Sequence, residues 1–224
     1  MVKYIMLFKV EGSLKYLSHL ELMKLFRQCF KRGQLPVAFS EGFNPHMKLS
    51  FALAKGVGLE SEGELLELEV ESTLNMKKAL KLVNNNLPKG IKVLEIEEKT
   101  ETNKSLTALL EKAEYDIVFA CMDENRNEIM NKIDSFLSHP SILITLKTKK
   151  GIRVKEVKEE IITYKLSKKK GIVDLKILTT CGSERTLRIE PLIKTLVQAI
   201  GFNGEYTIKR LALYGADKIL IHCI

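Results

Sequence analysis

Residues 65–71 alternate without a break, with Leu66, Leu68 and Val70 on one side and Glu67, Glu69 and Glu71 on the other. A period of two belongs to a strand with one buried face. A parallel strand covered on both faces reads instead as a continuous apolar run, so this segment calls for an antiparallel sheet with helices on one face only. The three carboxylates then form a solvated face, or a contact for a basic partner.

The flanking segments fit such a sheet. Residues 3–10 are rich in aromatic and β-branched side chains and read as a first strand. From 14 to 31, Leu17, Leu20, Leu22, Met23, Phe26 and Phe30 recur at helical spacing. Ser18 lies one turn into that helix, or caps it if the helix starts late. Arg27, Lys31 and Arg32 suit its C-terminal end, and Gly33 fits the position just beyond it. Residues 35–39 make a short strand, 47–54 another and 91–96 a last one, with a helix over 75–86 between Asn75 and the Asn84-Asn85-Asn86 run.

Strand, helix, two or three strands, helix, strand is the split βαβ order. The second half repeats it: strands over 115–121, 141–147, 159–166, 172–178 and 206–214, with helices over 124–137 and 191–200. The expected fold class is α+β, two ferredoxin-like subdomains with antiparallel sheets and a duplicated architecture. The first spans 1–100, a bridging helix or linker 101–112, and the second 113–224, which carries a basic hairpin.

Of 224 residues 45% are apolar and 29% charged, the composition of a chain with a real core. No apolar run approaches the ~20 residues of a membrane span. The first eight residues are too short for a signal segment, so the cytoplasm is expected. Cys29, Cys121, Cys181 and Cys223 show no ligand spacing and read as isolated thiols. GxGxxG and Walker A patterns are absent, so nucleotide use has no motif behind it.

The net charge of +8 favours an acidic partner, and it is concentrated. Residues 1–57 hold nine Lys/Arg against three Glu, residues 58–71 hold six Glu and no cation, and residues 145–170 hold ten Lys/Arg against three Glu. In the last stretch Lys147, Lys149, Lys150, Arg153 and Lys155, with Lys168, Lys169 and Lys170, form two strand-end loops able to neutralise phosphates, or a solvated lysine-rich hairpin. The aromatic pattern of a base-stacking sheet is missing, so shape and backbone recognition fit RNA better. Residues 180–188, with Arg185, are a possible anion loop or a plain connection.

The densest chemistry lies in residues 40–51, Ser-Glu-Gly-Phe-Asn-Pro-His-Met-Lys-Leu-Ser-Phe. Asn44-Pro45 signals a turn, and Phe43 and Phe51 are expected to anchor the segment to the core. With the preceding helix beneath this loop, His19, Arg27, Lys31, Ser40, Glu41, Asn44, His46 and Lys48 would converge as a binding group. Imidazoles titrate near neutrality and Arg and Lys clamp anions, so His46 and His19 are also the catalytic candidates. The structural alternative makes His19 a helix histidine bonded to a carbonyl and His46 a turn residue. No metal is expected: only Glu41 could join the two histidines.

Residues 17–23, Leu-Ser-His-Leu-Glu-Leu-Met, followed by 35–46, Leu-Pro-Val-Ala-Phe-Ser-Glu-Gly-Phe-Asn-Pro-His, resemble the bacterial radical SAM-linked protein family. This is a domain of unknown function found alone or fused behind a B12-binding-type radical SAM domain. The resemblance is strong over 3–70 and weaker to about Tyr214; Met47 and Phe39 stand where Pro and Tyr are common. It implies a companion to a radical SAM enzyme, in a setting of ribosome and RNA-processing genes. This chain has no CxxxCxxC. It therefore carries no cofactor of its own, and an iron–sulfur cluster and SAM belong to the partner.

The reading is an accessory protein binding an RNA or ribosomal component for a radical SAM protein, with a non-catalytic role preferred. The alternatives are a metal-independent enzyme on RNA or a phosphorylated small molecule through His46 and His19, and a protein–protein scaffold.

Overall fold

The structure, a computed structural model, describes residues 1–99, 104–148, 151–182 and 185–215. The chain divides into two compact units, Met1–Glu111 with Arg210–Ile224, and Lys112–Lys209.

In the first unit β1 (Val2–Val10) is central. It pairs antiparallel with β3 (Glu60–Val70) on one edge and β4 (Ile91–Glu98) on the other, and β2 (Leu49–Phe51) pairs with β3 beyond. The order β4-β1-β3-β2, with α1 (His19–Arg32) after β1 and α2 (Met76–Asn86) after β3, is the split βαβ arrangement. Tyr4, Met6, Phe8 and Val10 share a core with Leu22, Phe26 and Phe30 of α1, Leu66, Leu68 and Val70 of β3, and Val83 of α2. Phe8, Phe26 and Phe51 meet mutually edge-on, with centroids 4.8 to 5.8 Å apart. Each such pair contributes about 1 kcal/mol beyond its buried area.

The first helix starts later than its apolar pattern does. Residues Gly12–Tyr16 form a 3₁₀ turn, the chain extends at Leu17 and Ser18, and α1 begins at His19. The reason is a capping box: Glu21 N–H donates to Ser18 Oγ at 3.3 Å, and Ser18 N–H donates to Glu21 Oε2 at 2.8 Å. At the other end the left-handed residue is Gln34, φ +51°, not Gly33. Gly33 serves packing instead, because a methyl there would lie 2.4 Å from Leu82 Cδ2 on α2.

Residues 35–39 do not form a full strand. Val37 and Phe39 make isolated bridges to Val70 and Met47, and Pro36 has no N–H to give a ladder. The expected solvated glutamate face is also different. Glu67 lies 2.6 Å from the buried Lys99 ammonium and 3.9 Å from Lys3, and Glu69 lies 3.0 Å from Lys48. These lysines, one of them just past the end of β4, half-bury both carboxylates, while Glu71 stays exposed. The four-residue α3 (Leu106–Leu109) is capped by Ser105, and Thr107 Oγ1 donates to Ala52 O at 3.3 Å.

The second unit repeats the order. β5 (Lys112–Ala120) pairs antiparallel with β9 (Ile172–Thr180), which pairs antiparallel with β8 (Ile161–Lys169). α4 (Arg126–Ser138) follows β5 and α5 (Ile189–Ala199) follows β9. Ala113, Tyr115, Ile117 and Phe119 of β5 are buried, as are Ile133 and Leu137 of α4 and Leu192, Ile193 and Leu196 of α5. Between α4 and β8 lies an insertion absent from the first unit. It is a separate two-stranded ribbon of β6 (Leu143–Thr148) and β7 (Gly151–Glu156). The second of these strands reads from sequence as a basic loop. Its root is held by Glu156, which accepts from Ile142 N–H at 2.9 Å, from Lys158 N–H at 2.8 Å and from the Ser141 hydroxyl. Those donors, the hydroxyl first, hold its carboxyl down at about 2.

The last strand, β10 (Tyr206–Tyr214), is divided, with Arg210 onward belonging to the first unit. In that unit it lies against β3 at Gly63, where a Cβ would fall 2.4 Å from Leu211 O. No helix among the described residues is long and apolar enough to cross a membrane.

Urea unfolding should rank two variants. Ser18→Ala, which loses the capping box, is expected to cost ~1 kcal/mol. Phe26→Ala, which opens the aromatic cluster, should cost ~3–5 kcal/mol.

Candidate functional site

The loop of residues 40–46 is tied at its base. Ser40 N–H donates to His46 O at 2.8 Å, His46 N–H donates to Ser40 Oγ at 3.0 Å, and Phe39 bridges Met47 just outside. Gly42 turns the tip at φ +113°, a conformation strained for residues with a Cβ. Glu41, Asn44, Pro45 and His46 are exposed. Phe43 does not anchor the loop to the core: its ring is fully exposed, and Phe39 is 49% exposed. Phe51 does join the core. The tie uses Ser40 Oγ as an acceptor, while the Glu41, Asn44 and His46 side chains are exposed, as is the ring.

The other candidates of this group lie elsewhere in the unit. His19 is the first residue of α1, half-buried with its ring edge-on to Phe51 at 5.3 Å. Burial lowers its pKa, partly opposed by the Glu64 charge, and Nδ1 is buried without a partner. Arg27 is half-buried with Nε likewise unpartnered, whereas Lys31 is exposed. Lys48 Nζ is paired to Glu69 at 3.0 Å. Among the described residues no hydrogen bond or ion pair joins His19, Arg27 or Lys31 to the loop.

The basic run separates into engaged and open cations. Lys155 pairs with the buried Glu160 at 2.5 Å. Lys168 donates to Asn127, and Arg126 Nη1 donates to Lys169 O at 2.7 Å. Arg153 on β7 and Lys169 and Lys170 at the β8–β9 turn are exposed. Lys149 and Lys150 lie outside the described residues, as does the side chain of Lys147. Arg185 is exposed and pairs with Glu159 at 3.0 Å, which is its observed role in the expected anion loop.

Four features are not legible in the sequence. In the first unit Arg210 Nη1 donates to both oxygens of Glu64 at 2.8 and 2.9 Å, and both side chains are buried. The buried Lys55 ammonium nearby in sequence is saturated by the carbonyls of Lys15, Gly56 and Leu59. In the second unit Asp116 stands opposite Lys176 and Asp174 opposite Val118, so the carboxyls are diagonal neighbours on the sheet face away from the core. Burial first, then the hydrogen bond and charge of Asp174, push Asp116 up to about 6 against the opposing Lys176 and Lys209. Ser167 Oγ donates to Asp174 Oδ2 at 3.3 Å. Finally, a cleft of about 700 Å³ is lined by Lys132, Phe136, His139, Ile142, Leu143 and Ile200. The acidic pair was findable only with the β5–β9 register in hand.

Among the described residues no three His, Cys, Asp or Glu side chains group closely enough to hold a metal ion. Cys29 and Cys181 are buried and Cys121 half-buried, each a thiol outside any disulfide. Cys29 Sγ donates to Val83 O at 3.4 Å, and burial pushes the thiol up to about 11.

Residues 3–189 match the bacterial family DUF2344, described as "Uncharacterized protein conserved in bacteria". The chain belongs to that family. The match takes in the loop, Glu64, the acidic pair and the ribbon, while Arg210 lies beyond the matched stretch. No curated protein sequence matches the chain. A chain in a crystal structure of a Cbf5-Nop10-Gar1 complex is similar in fold, with TM-score 0.51 and 14% identity. The similarity covers 96% of this family member and 50% of that chain, so the present chain spans half its neighbour's length. A protein from Galdieria sulphuraria aligns over 93% of the chain at 7% identity, but a TM-score of 0.26 carries no weight. What the first likeness supports is the mixed α+β fold with its antiparallel sheets and intervening helices.

The acidic pair fixes a pH response. The folded pKa of Asp116 lies above its ordinary 3.8, so the native state holds the proton more tightly than the unfolded chain. Its contribution is complete below that ordinary value and is lost as pH rises through about 6. Asp116→Asn should abolish this component, so that the variant's melting temperature gains on the parent's between those values and stays higher above them.

Proposed function

We propose that this chain is an accessory protein that binds an RNA or ribonucleoprotein substrate for a separate radical SAM enzyme. The observation that carries the RNA half is the concentration of cation in residues 145–170, with Arg153, Lys169 and Lys170 exposed at a strand ribbon and a turn. Such groups neutralise phosphates without reading sequence. The partner half rests on the resemblance over residues 17–46 and on a chain with no cluster-binding CxxxCxxC. With it go a cytoplasmic setting, a duplicated ferredoxin-like ancestry for the two units, and a cluster and SAM held by the partner. The exposed cations favour binding, and catalysis through His46 and His19 is the alternative.

Fluorescence anisotropy with a labelled single-stranded oligoribonucleotide across a salt series tests the proposal. Affinity should fall with salt by about 0.7 log units per log unit for each phosphate neutralised. Replacing Arg153, Lys169 and Lys170 together by Glu should flatten the slope by about two. No binding at low ionic strength overturns the RNA half. Failure of a co-expressed radical SAM protein to co-purify overturns the other.

A further inference from the structure

The loop of residues 40–46 presents a feature that the basic ribbon does not account for. Phe43 is the most exposed large apolar side chain of the described residues. A lone exposed phenylalanine on a loose loop needs no explanation. Here, however, the loop is closed by two Ser40–His46 hydrogen bonds of 2.8 and 3.0 Å, by the Phe39–Met47 bridge, and by Pro45 and a left-handed Gly42. The entropy of holding the tip in shape is therefore already met in the free protein.

We propose that Phe43 is a stacking platform for an unpaired nucleobase, making the substrate of this surface single-stranded RNA. The inference rests on the RNA reading given above and names the part of the RNA the loop takes. The make-up of the loop favours a base over a pocket on a partner protein. Apart from Gly42 and Pro45, the other exposed residues of the loop are Glu41, Asn44 and His46, with Phe39 half-exposed outside the tie. An amide, an imidazole and a carboxylate are the groups that bond base edges, the carboxylate accepting from exocyclic amines. A protein hot spot would be expected to continue as an apolar patch.

The charge also sorts by position. Within residues 1–57 Lys3, Lys15 and Lys48 face Glu67, Glu60 and Glu69 and Lys55 is buried, so the exposed cations that can draw in a polyanion are Lys24, Lys31 and Arg32 of α1. Glu41, two residues before Phe43 and exposed, repels phosphate at the loop, which favours a base there and leaves the backbone to cations further off. A duplex has no unstacked base to offer and gains nothing from the ring.

The protein contains no tryptophan, which supplies a direct reporter. Because the ring is fully exposed, Phe43→Ala, Phe43→Tyr and Phe43→Trp should all fold as the parent does. A labelled single-stranded oligoribonucleotide should bind Phe43→Ala roughly five- to hundredfold more weakly, and Phe43→Tyr like the parent. An RNA duplex of equal length should bind all four proteins alike. The indole emission of Phe43→Trp should be quenched by the single strand and left unchanged by heparin, a polyanion without bases. If the parent binds no RNA, the RNA reading itself falls. If the parent binds the single strand and Phe43→Ala binds it equally well with no indole quenching, that reading stands and this inference is overturned. Equal weakening toward single strand, duplex and heparin overturns it too, because it would assign the loop to general charge attraction.

Discussion

The first unit depends on the pair of Glu64 and Arg210. A guanidinium and a carboxylate, both out of water, bond through a fork at 2.8 and 2.9 Å, across 146 positions of sequence. Breaking such a pair leaves a buried charge without its partner, a loss of ~3–5 kcal/mol, so each holds the other in register. Beside it Gly63 lets the backbone at Leu211 approach to a distance no side chain would allow. Charge and close approach together fasten Arg210 and the residues after it to β3. The edge of β3 is thereby shared between this strand and the short β2 at Leu66–Leu68.

That dependence explains which parts of the molecule were readable in advance. Alternation at Leu66, Leu68 and Val70 is a local property, and it correctly specified an antiparallel strand with one core face. The helix over Leu22, Phe26 and Phe30 was legible for the same reason. What failed was set by distant groups. Glu67 and Glu69 look solvated until Lys99 and Lys48 are brought over them. β7 was missed because its Ile152, Arg153, Val154 and Lys155 are mostly exposed on both faces, so no burial imposes a contrast on the sequence. Gly33 looked like a left-handed terminator, yet Gln34 takes that conformation, and the glycine answers to Leu82 on another helix.

The candidate site divides along the same line. The turn at Asn44-Pro45 and the polar richness of the loop were plain from residue types. Its closure by Ser40 and His46, and the outward Phe43, were not, because an aromatic in an apolar-flanked loop is more often drawn inward. Nor was the Asp116–Asp174 contact, since a one-residue change of register would place these carboxyls on opposite faces. The loop and the acidic pair also differ in kind. One is a shape held ready by hydrogen bonds between Ser40 and His46. The other is a proton balance between two carboxyls of the second unit.

Arg210 belongs to the unit that begins at the N-terminus, although nearly a hundred residues of another unit are made in between. During synthesis the second unit can therefore be completed as its last residues leave the ribosome, while the first must wait with β3 edge and Glu64 unmet. Of the two units, the one whose translation starts first is completed last, and until then the Glu64 carboxylate is without its guanidinium.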